Sequence, residues 1–412
     1  MDTTHPVVVI GAGPVGLAAA AHLLERGLQP LVLEAGDHAG AAVSHWGHIR
    51  LFSPWQYTID AACRRLLDPT DWQPPRPTEL PSGDQLVQNY LEPLARSTAL
   101  RERIRFGARV TGISRGSRDK THTSARQGQP FLIHALQQGR CLEIQARAVI
   151  DASGTWDSPN PLGAAGLPAA GEGDAASAPH LLGPLPDVLG TDRDRVSGKR
   201  VLVVGSGHSA TNTLLNLAAL KREEPATEIL WAIRRDSPQR SYGGGDQDEL
   251  PERGALGQRL RRLVEAGRIT LIRSAEVRAL DVHQDALRVS FNAGHSETVN
   301  ALAAATGFRP DLGILRELRL DLDPAVEAPV RLAPLIDPQL HSCGTVPAHG
   351  AEVLAHPEEG FFIAGMKSYG RAPTFLLATG YEQVRSIAAH LAGDNAAPRE
   401  LNLPATGVCA AE

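Results

Sequence analysis

Three observations predict an α/β fold made of two three-layer domains, each built on a parallel sheet. Two short apolar runs, Val7–Ile10 and Val201–Val204, lead straight into glycine-rich turns. Both turns open onto stretches with helical composition. A third such run, Phe361–Ile363, comes late and is followed by a last helical stretch. Strands apolar at every position are those buried on both faces, as in parallel sheets.

Along the chain, Val7–Ile10 is followed by a turn, a helix to about Glu25, a stop at Gly27 and a second strand, Leu31–Leu33. Asp84–Ala95 predicts an amphipathic helix, with Leu86, Val87, Tyr90, Leu91 and Leu94 on one side. Ala108–Ser114, Phe131–Ala135 and Cys141–Ile150 predict strands, and the polar stretch Arg115–Gln129 predicts an exposed hairpin loop. Pro159–Leu189, rich in Gly, Ala and Pro and without period, reads as a connection between domains. Arg200–Val204 starts a second unit, with a helix to about Leu220, strands at Glu228–Ile233 and Ile269–Ile272, and a helix at Leu260–Ala266. Leu287–Phe291 and Thr298–Ala304 predict a hairpin, and Thr374–Leu391 a final helix. The expected boundaries are a first domain over 1–155, a linker over 156–198, a second domain over 199–304, a return to the first over 305–395, and a tail over 396–412.

The first turn has the spacing Gly11-x-Gly13-x-x-Gly16, with Pro14 inside it. The first glycine permits the tight turn, the second lets backbone approach a diphosphate, and the third lets helix pack on strand. The diphosphate then lies on the helix N-terminus. Glu34, followed by Ala35, ends the next strand about 20 residues on, where a ribose diol needs an acceptor. The second turn, Gly205-Ser206-Gly207-His208-Ser209-Ala210, carries the same fingerprint with alanine in third place. Its next strand ends in Arg234-Arg235, cations suited to a 2′-phosphate, so NADPH is expected there rather than NADH. The plainer reading of the pair is a solvated basic turn.

Composition narrows the classes. The 412 residues are 42% hydrophobic and 21% charged, ordinary values for a folded protein. A net charge of −5 and 4% aromatics give no reason to expect nucleic acid or an anionic membrane as partner. Cysteines stand at 63, 141, 343 and 409 with no CxxC, which disfavours a disulfide scaffold, a zinc ribbon and a redox dithiol. No metal site is expected. The N-terminal run has no basic region, long apolar core and cleavage site of a secretory signal, so the expected location is cytoplasmic.

The two fingerprints in this order resemble flavoproteins with two dinucleotide-binding domains: the flavin-containing monooxygenases and the thioredoxin/glutathione reductase group. Ala148–Gly154 and Ala304–Pro310 look like the two "ATG" strands of these proteins, and Phe361–Met366 is similar to their late FAD segment. The resemblance implies two Rossmann-like domains, an FAD domain that is discontinuous and an NADPH domain inserted into it. It implies cofactor contacts from Gly11, Gly13, Pro14, Gly16, Glu34, Ala35, Trp46, Arg50, Ser53, Val110, Ala152, Gly154, Gly205, Ser206, Gly207, His208, Ser209, Ala210, Arg234, Arg235, Thr306, Gly307, Gly365 and Met366. The motif FxGxxxHxxx(Y/F) of the flavin-containing monooxygenases is missing between Gly154 and Gly205, which points to a bacterial side branch.

Without a dithiol, disulfide reduction lacks its chemistry. A flavin C4a-hydroperoxide, by contrast, asks the protein only for shelter. The expected function is an FAD- and NADPH-dependent monooxygenase that uses O2 on a small N-, S- or metalloid-centred nucleophile. The alternatives are a reductase or oxidase passing electrons to a quinone, metal or protein partner, and a non-catalytic nucleotide-binding regulator. A homodimer stays open.

Four stretches carry the remaining candidates. His45–Trp55 holds two Trp, two His and one Arg. Arg50 could offset charge on reduced flavin, with His48 beside it, and Trp46 or Trp55 could cover the flavin face. Aromatic packing beneath a loop is the plainer alternative. Cys343 and His349 could hold a soft metal or metalloid, against an inert buried Cys. Lys367–Pro373 should lie near the flavin, its cations serving flavin or substrate. Asp246, Asp248, Glu249 and Glu252 read as an exposed acidic loop.

Overall fold

The computed structural model describes residues 5–96, 98–243, 251–337, 346, 349–373 and 375–394, with backbone alone for 98 and 251–253. The chain forms two compact units: one runs up to Ser158 and resumes at Arg309, the other spans Pro159–Phe308.

In the first unit, β1 (Val7–Ile10) leads into α1 (Pro14–Glu25) and β2 (Pro30–Leu33). α2 (Ala61–Leu67) and the short strand β3 (Ile104–Arg105) follow. β4 (Ala108–Arg115), β5 (Phe131–Gln137) and β6 (Arg140–Ala146) form an antiparallel sheet, and β7 (Ala148–Asp151) returns to β1. In the second unit, β8 (Leu181–Leu182), β9 (Arg200–Val204), α3 (His208–Glu223), β10 (Glu228–Ala232), α4 (Gln239–Tyr242), α5 (Pro251–Glu265) and β11 (Thr270–Ile272) come in turn. β12 (Val277–His283), β13 (Ala286–Phe291) and β14 (Ser296–Val299) form its antiparallel sheet, and β15 (Ala301–Ala304) pairs with β9. The chain ends, among the described residues, with β16 (Phe361–Ile363) and α6 (Leu377–Ala392) in the first unit. The parallel sheets have the orders β16-β7-β1-β2-β3 and β11-β10-β9-β15-β8.

Val7–Ile10 of β1 and Val201–Val204 of β9 are apolar at every position because each run feeds two cores. Val7 and Val9 face the core shared with α1 and α6, whereas Val8 and Ile10 face the one shared with the hairpin sheet. Val201 and Val203 face α3, and Leu202 and Val204 face β12–β14. Each such side chain, at most 6% exposed, is worth about 1.5–3 kcal/mol of burial.

Four expectations are corrected. The run Cys141–Ile150 is two strands separated by Arg147, whose amide donates to Pro6 O instead. Its first half alternates polar and apolar beside β5, and its second is apolar throughout. Thr298–Ala304 splits at Asn300 in the same way, because Asn300 exchanges bonds with Arg200. Of residues 156–198, read as a linker, 156–158 belong to the first unit and 159–198 to the second, where they supply the edge strand β8. The Arg115–Gln129 loop is anchored rather than wholly exposed. Arg115 and Arg126, each 2% exposed, share the buried Glu358 carboxylate, and Arg115 lies over the Phe131 ring at 4.2 Å.

The helix expected over Asp84–Ala95 runs from Gly83 to Arg96 with a π turn at Val87–Leu91, and its five apolar residues are all buried. No helix among the described residues is long and apolar enough to cross a membrane. The 396–412 tail and Asp246, Asp248 and Glu249 lie outside the described residues, as does the side chain of Glu252.

Candidate functional site

The first crevice lies at the carboxyl ends of β1, β7 and β16. Gly11 has φ +95°, and a Cβ there would come within 2.8 Å of Ala152 O. A Cβ on Gly16 would sit 2.0 Å from Gly11 O, so turn and helix touch through bare backbone. Gly13 caps α1 in extended conformation with Pro14 next, and nothing lies within 4 Å of where its Cβ would be. The helix N-terminus is thus open to a phosphate, with its N–H groups aimed outward. Glu34 turns its carboxylate onto this turn: Ala12 N donates to Oε2 at 2.6 Å and Gly36 N to Oε1 at 2.7 Å. Each oxygen keeps a lone pair for a ribose hydroxyl. Ala35 is exposed beside it. The cradle fits a dinucleotide.

β7 ends at Asp151, followed by Ala152, whose amide donates to Ile10 O, Ser153, and Gly154 at φ +72°. After β16, Gly365 donates its amide to Gln383 Oε1 at 2.8 Å, and Met366 is half-buried. Lys367, expected to serve flavin or substrate, is 2% exposed and turned onto the end of β7. Its ammonium is buried against Asp151 Oδ2 at 2.7 Å and Ser153 Oγ at 3.1 Å. The sequence carried a signal for this pair: Asp151 ends an otherwise apolar strand, and Lys367 is the sole charge in Phe361–Tyr369. Arg371 is exposed.

The His45–Trp55 segment divides between loop and core. Gly40 N donates to Ala12 O, which ties the start of this segment to the glycine turn. Trp55, 3% exposed, is core and cannot cover a flavin face without leaving it. Trp46 and Ser53 are half-buried, and Arg50 is exposed. His48 buries Nε2 without a hydrogen-bond partner among the described residues. His45 stacks on Trp156 at 6.0 Å, a contact that sequence reading missed. Val110, 8% exposed, packs into the core of the hairpin sheet, which leaves only its backbone for a ligand.

The second crevice repeats the first. A Cβ on Gly205, at φ +133°, would lie 2.0 Å from Ala305 O, and Gly207 caps α3 with open space beside it. Ser206 is exposed, His208 and Ser209 form the half-buried first turn, and Ala210 is buried against the strands. Trp231 Nε1 donates to Gly205 O at 2.7 Å and Ser241 Oγ to Ser206 O at 2.9 Å, so β10 and α4 steady the turn. Arg234 and Arg235 project exposed from the end of β10, and no ion pair engages either among the described residues. A cavity of about 360 Å³, lined in part by Asp236, Tyr242, Arg261 and Arg273, opens beside them. Thr306 and Gly307 are zipped to Asn160 by Thr306 Oγ1→Asn160 O at 2.6 Å and Asn160 N→Gly307 O at 2.9 Å.

Cys343 lies outside the described residues. His349 is buried, its Nε2 2.8 Å from Gln383 Nε2. His356 is buried, and burial pushes its imidazole down to about 4. Burial, with the Asp60 carboxylate next, pushes the Cys63 thiol well up, so it is inert. Among the described residues, no three His, Cys, Asp or Glu side chains converge as metal ligands would.

Residues 8–330 match the family model described as pyridine nucleotide-disulphide oxidoreductase. The chain belongs to that family. Membership makes it a flavin-dependent oxidoreductase whose cofactors are FAD and a pyridine nucleotide. Comparison with curated proteins finds no match. Among solved structures, the fold is similar to bacillithiol disulfide reductase from Bacillus cereus, at 19% identity and TM-score 0.68 over 94% of this chain and 99% of that one. It is also similar to the FAD-bound cadaverine monooxygenase from Erwinia amylovora, at 14% identity and TM-score 0.65 over all of both chains. A flavin monooxygenase from Stenotrophomonas maltophilia matches at 20% identity and TM-score 0.59, over 94% of this chain and 98% of that one. These likenesses are of fold. The sequence contains no CxxC.

Proposed function

We propose that this family member is an NADPH-dependent flavoprotein monooxygenase acting on a small N-, S- or metalloid-centred nucleophile. One observation carries the reading: two dinucleotide crevices occur in a chain whose sequence has no CxxC, and of the two described cysteines Cys63 is wholly buried and Cys141 is exposed on β6 in the hairpin sheet. Dithiol exchange needs a thiolate within reach of a second sulfur. Oxygen chemistry on a flavin needs only a sheltered crevice and a hydride source. In the first crevice, Gly11, Gly13 and Gly16 would cradle the FAD diphosphate and Glu34 the ribose. In the second, Gly205–Ala210 would hold the NADPH diphosphate, and Arg234 and Arg235 the 2′-phosphate.

Reduction with NADPH in the presence of labelled O2, across a panel of amines, thiols and trivalent metalloids, tests this reading. A monooxygenase puts one labelled oxygen atom into product per NADPH consumed. Complete return of the electrons as hydrogen peroxide, whatever the substrate, would instead make the protein an oxidase or reductase. No NADPH consumption at all would leave a nucleotide-binding regulator.

A further inference from the structure

Asp151 and Lys367 form a fully buried ion pair, 2.7 Å apart, among apolar strand ends. Both side chains are at most 1% exposed. Their neighbours on β7 and β16, Ala148, Val149, Ile150, Phe361, Phe362 and Ile363, are apolar and buried. Burying two charges costs several kcal/mol per ion, and an apolar pair of similar volume is often as stable or more so.

The location is specific. In register, Ile10 stands beside Asp151 and Asp151 beside Ile363, so the pair spans the carboxyl ends of three adjacent strands. Ligands of open parallel sheets bind outside those ends. Ser153, which takes the second hydrogen bond from Lys367, has its Cα 3.1 Å from where a Gly11 Cβ would be. The ammonium is therefore one residue removed from the turn that cradles the diphosphate. It is also fixed in place: Ser368 Oγ closes the turn onto Gly365 O at 2.7 Å, and Gln383 holds the Gly365 amide.

We propose that Lys367, held by Asp151, is the fixed cation of the FAD crevice and sets the potential of the flavin bound there. Hydride uptake brings two electrons and one proton, so a bound flavin gains one negative charge while the nicotinamide gains one positive charge. A cation held in a water-poor site favours the more negative state, and its carboxylate partner opposes it. Removing the lysine therefore makes bound FAD harder to reduce, and removing the aspartate makes it easier. Lys367 acts through charge and touches no reacting atom, so it is a positioning residue. The inference rests on FAD occupying the first crevice and is independent of the monooxygenase reading.

The test uses full-length, FAD-loaded protein: wild type, Lys367→Met, Asp151→Asn and the double variant, each titrated against a reference dye for its flavin midpoint potential. The expected order is Asp151→Asn above wild type above Lys367→Met, with the double variant between the two single ones. A merely structural pair would move both single variants in one direction, and any such order overturns the proposal. If Lys367→Met does not retain FAD, the double variant decides. Regained FAD with a potential near wild type supports the proposal, and continued loss overturns it. A wild type that cannot be loaded with FAD overturns both this inference and the flavin reading, whereas loaded protein with the wrong order overturns the inference alone.

Discussion

The Glu34 carboxylate holds the Ala12 amide at 2.6 Å and the Gly36 amide at 2.7 Å, so the tip of β2 clamps the turn that it would share with a ribose. One residue thus links two parts of a single site. Both amides would lose a charged acceptor if the carboxylate were removed.

Glu34→Ala should weaken FAD binding at least tenfold, because hydrogen bonds to charged groups are worth about 1.5–3 kcal/mol each. Glu34→Gln, which keeps one acceptor oxygen, should lose less. Equilibrium titration of apoprotein with FAD, followed by flavin fluorescence, measures both. Equal affinity in all three proteins would remove Glu34 from the site.

Two glycines of the same turn should fail differently. Gly13 faces open space at φ −77°, so Gly13→Ala should fold with stability within about 0.5 kcal/mol of wild type while losing FAD affinity. A Cβ at Gly16 would meet the Gly11 carbonyl at 2.0 Å, so Gly16→Ala should destabilise the apoprotein itself by about 1–3 kcal/mol. Denaturant unfolding of the apoproteins separates the two. Equal stability of the two variants would contradict the packing described for α1.

How much was legible in the sequence follows from range. Turns and strands set by local residues were readable: Gly11–Gly16, Gly205–Ala210 and the β1 and β9 runs all stand where they were expected. What failed was long-range. Cys141–Ile150 reads as one run, and only the pairing of Arg147 with Pro6 divides it between sheets. β8 has two residues and no pattern of its own, and it is a strand because β15 lies beside it. Lys367 is 216 positions from Asp151, and a side-chain pair at that separation leaves no periodicity to read. Trp55 reads as a site aromatic by composition and is core by placement.

Acid should destabilise the first unit through His356. Its ordinary value of 6.5 is pushed down to about 4, mainly by burial. The unfolded chain therefore takes up this proton before the folded one. The stabilisation is complete above pH 6.5 and is lost as the pH falls toward 4, by about 3 kcal/mol in all at 1.36 kcal/mol per unit. Its Nδ1 accepts from Asp321 N at 3.2 Å, a bond that an asparagine oxygen can replace. His356→Asn should therefore flatten the fall in stability between pH 6.5 and 4, at a pH-independent cost from the lost ring contact with Phe361. An unchanged slope in denaturant unfolding across that range would place the acid sensitivity elsewhere.

The Arg234–Arg235 pair provides the sharpest test of the second crevice. Both side chains are exposed at the end of β10, where Arg234 Nη1 donates to Ala164 O at 3.3 Å. Replacing both by alanine removes charge-assisted contacts worth about 1.5–3 kcal/mol each to a 2′-phosphate. NADH has no such phosphate, and the Gly205 and Gly207 backbone that would hold its diphosphate is untouched. The KM for NADPH should therefore rise at least tenfold, while the KM for NADH changes by no more than about a factor of two. Steady-state flavin reduction with each nucleotide measures both constants. An equal rise for the two nucleotides would mean that the arginines support the fold of the β10 turn and do not select the nucleotide.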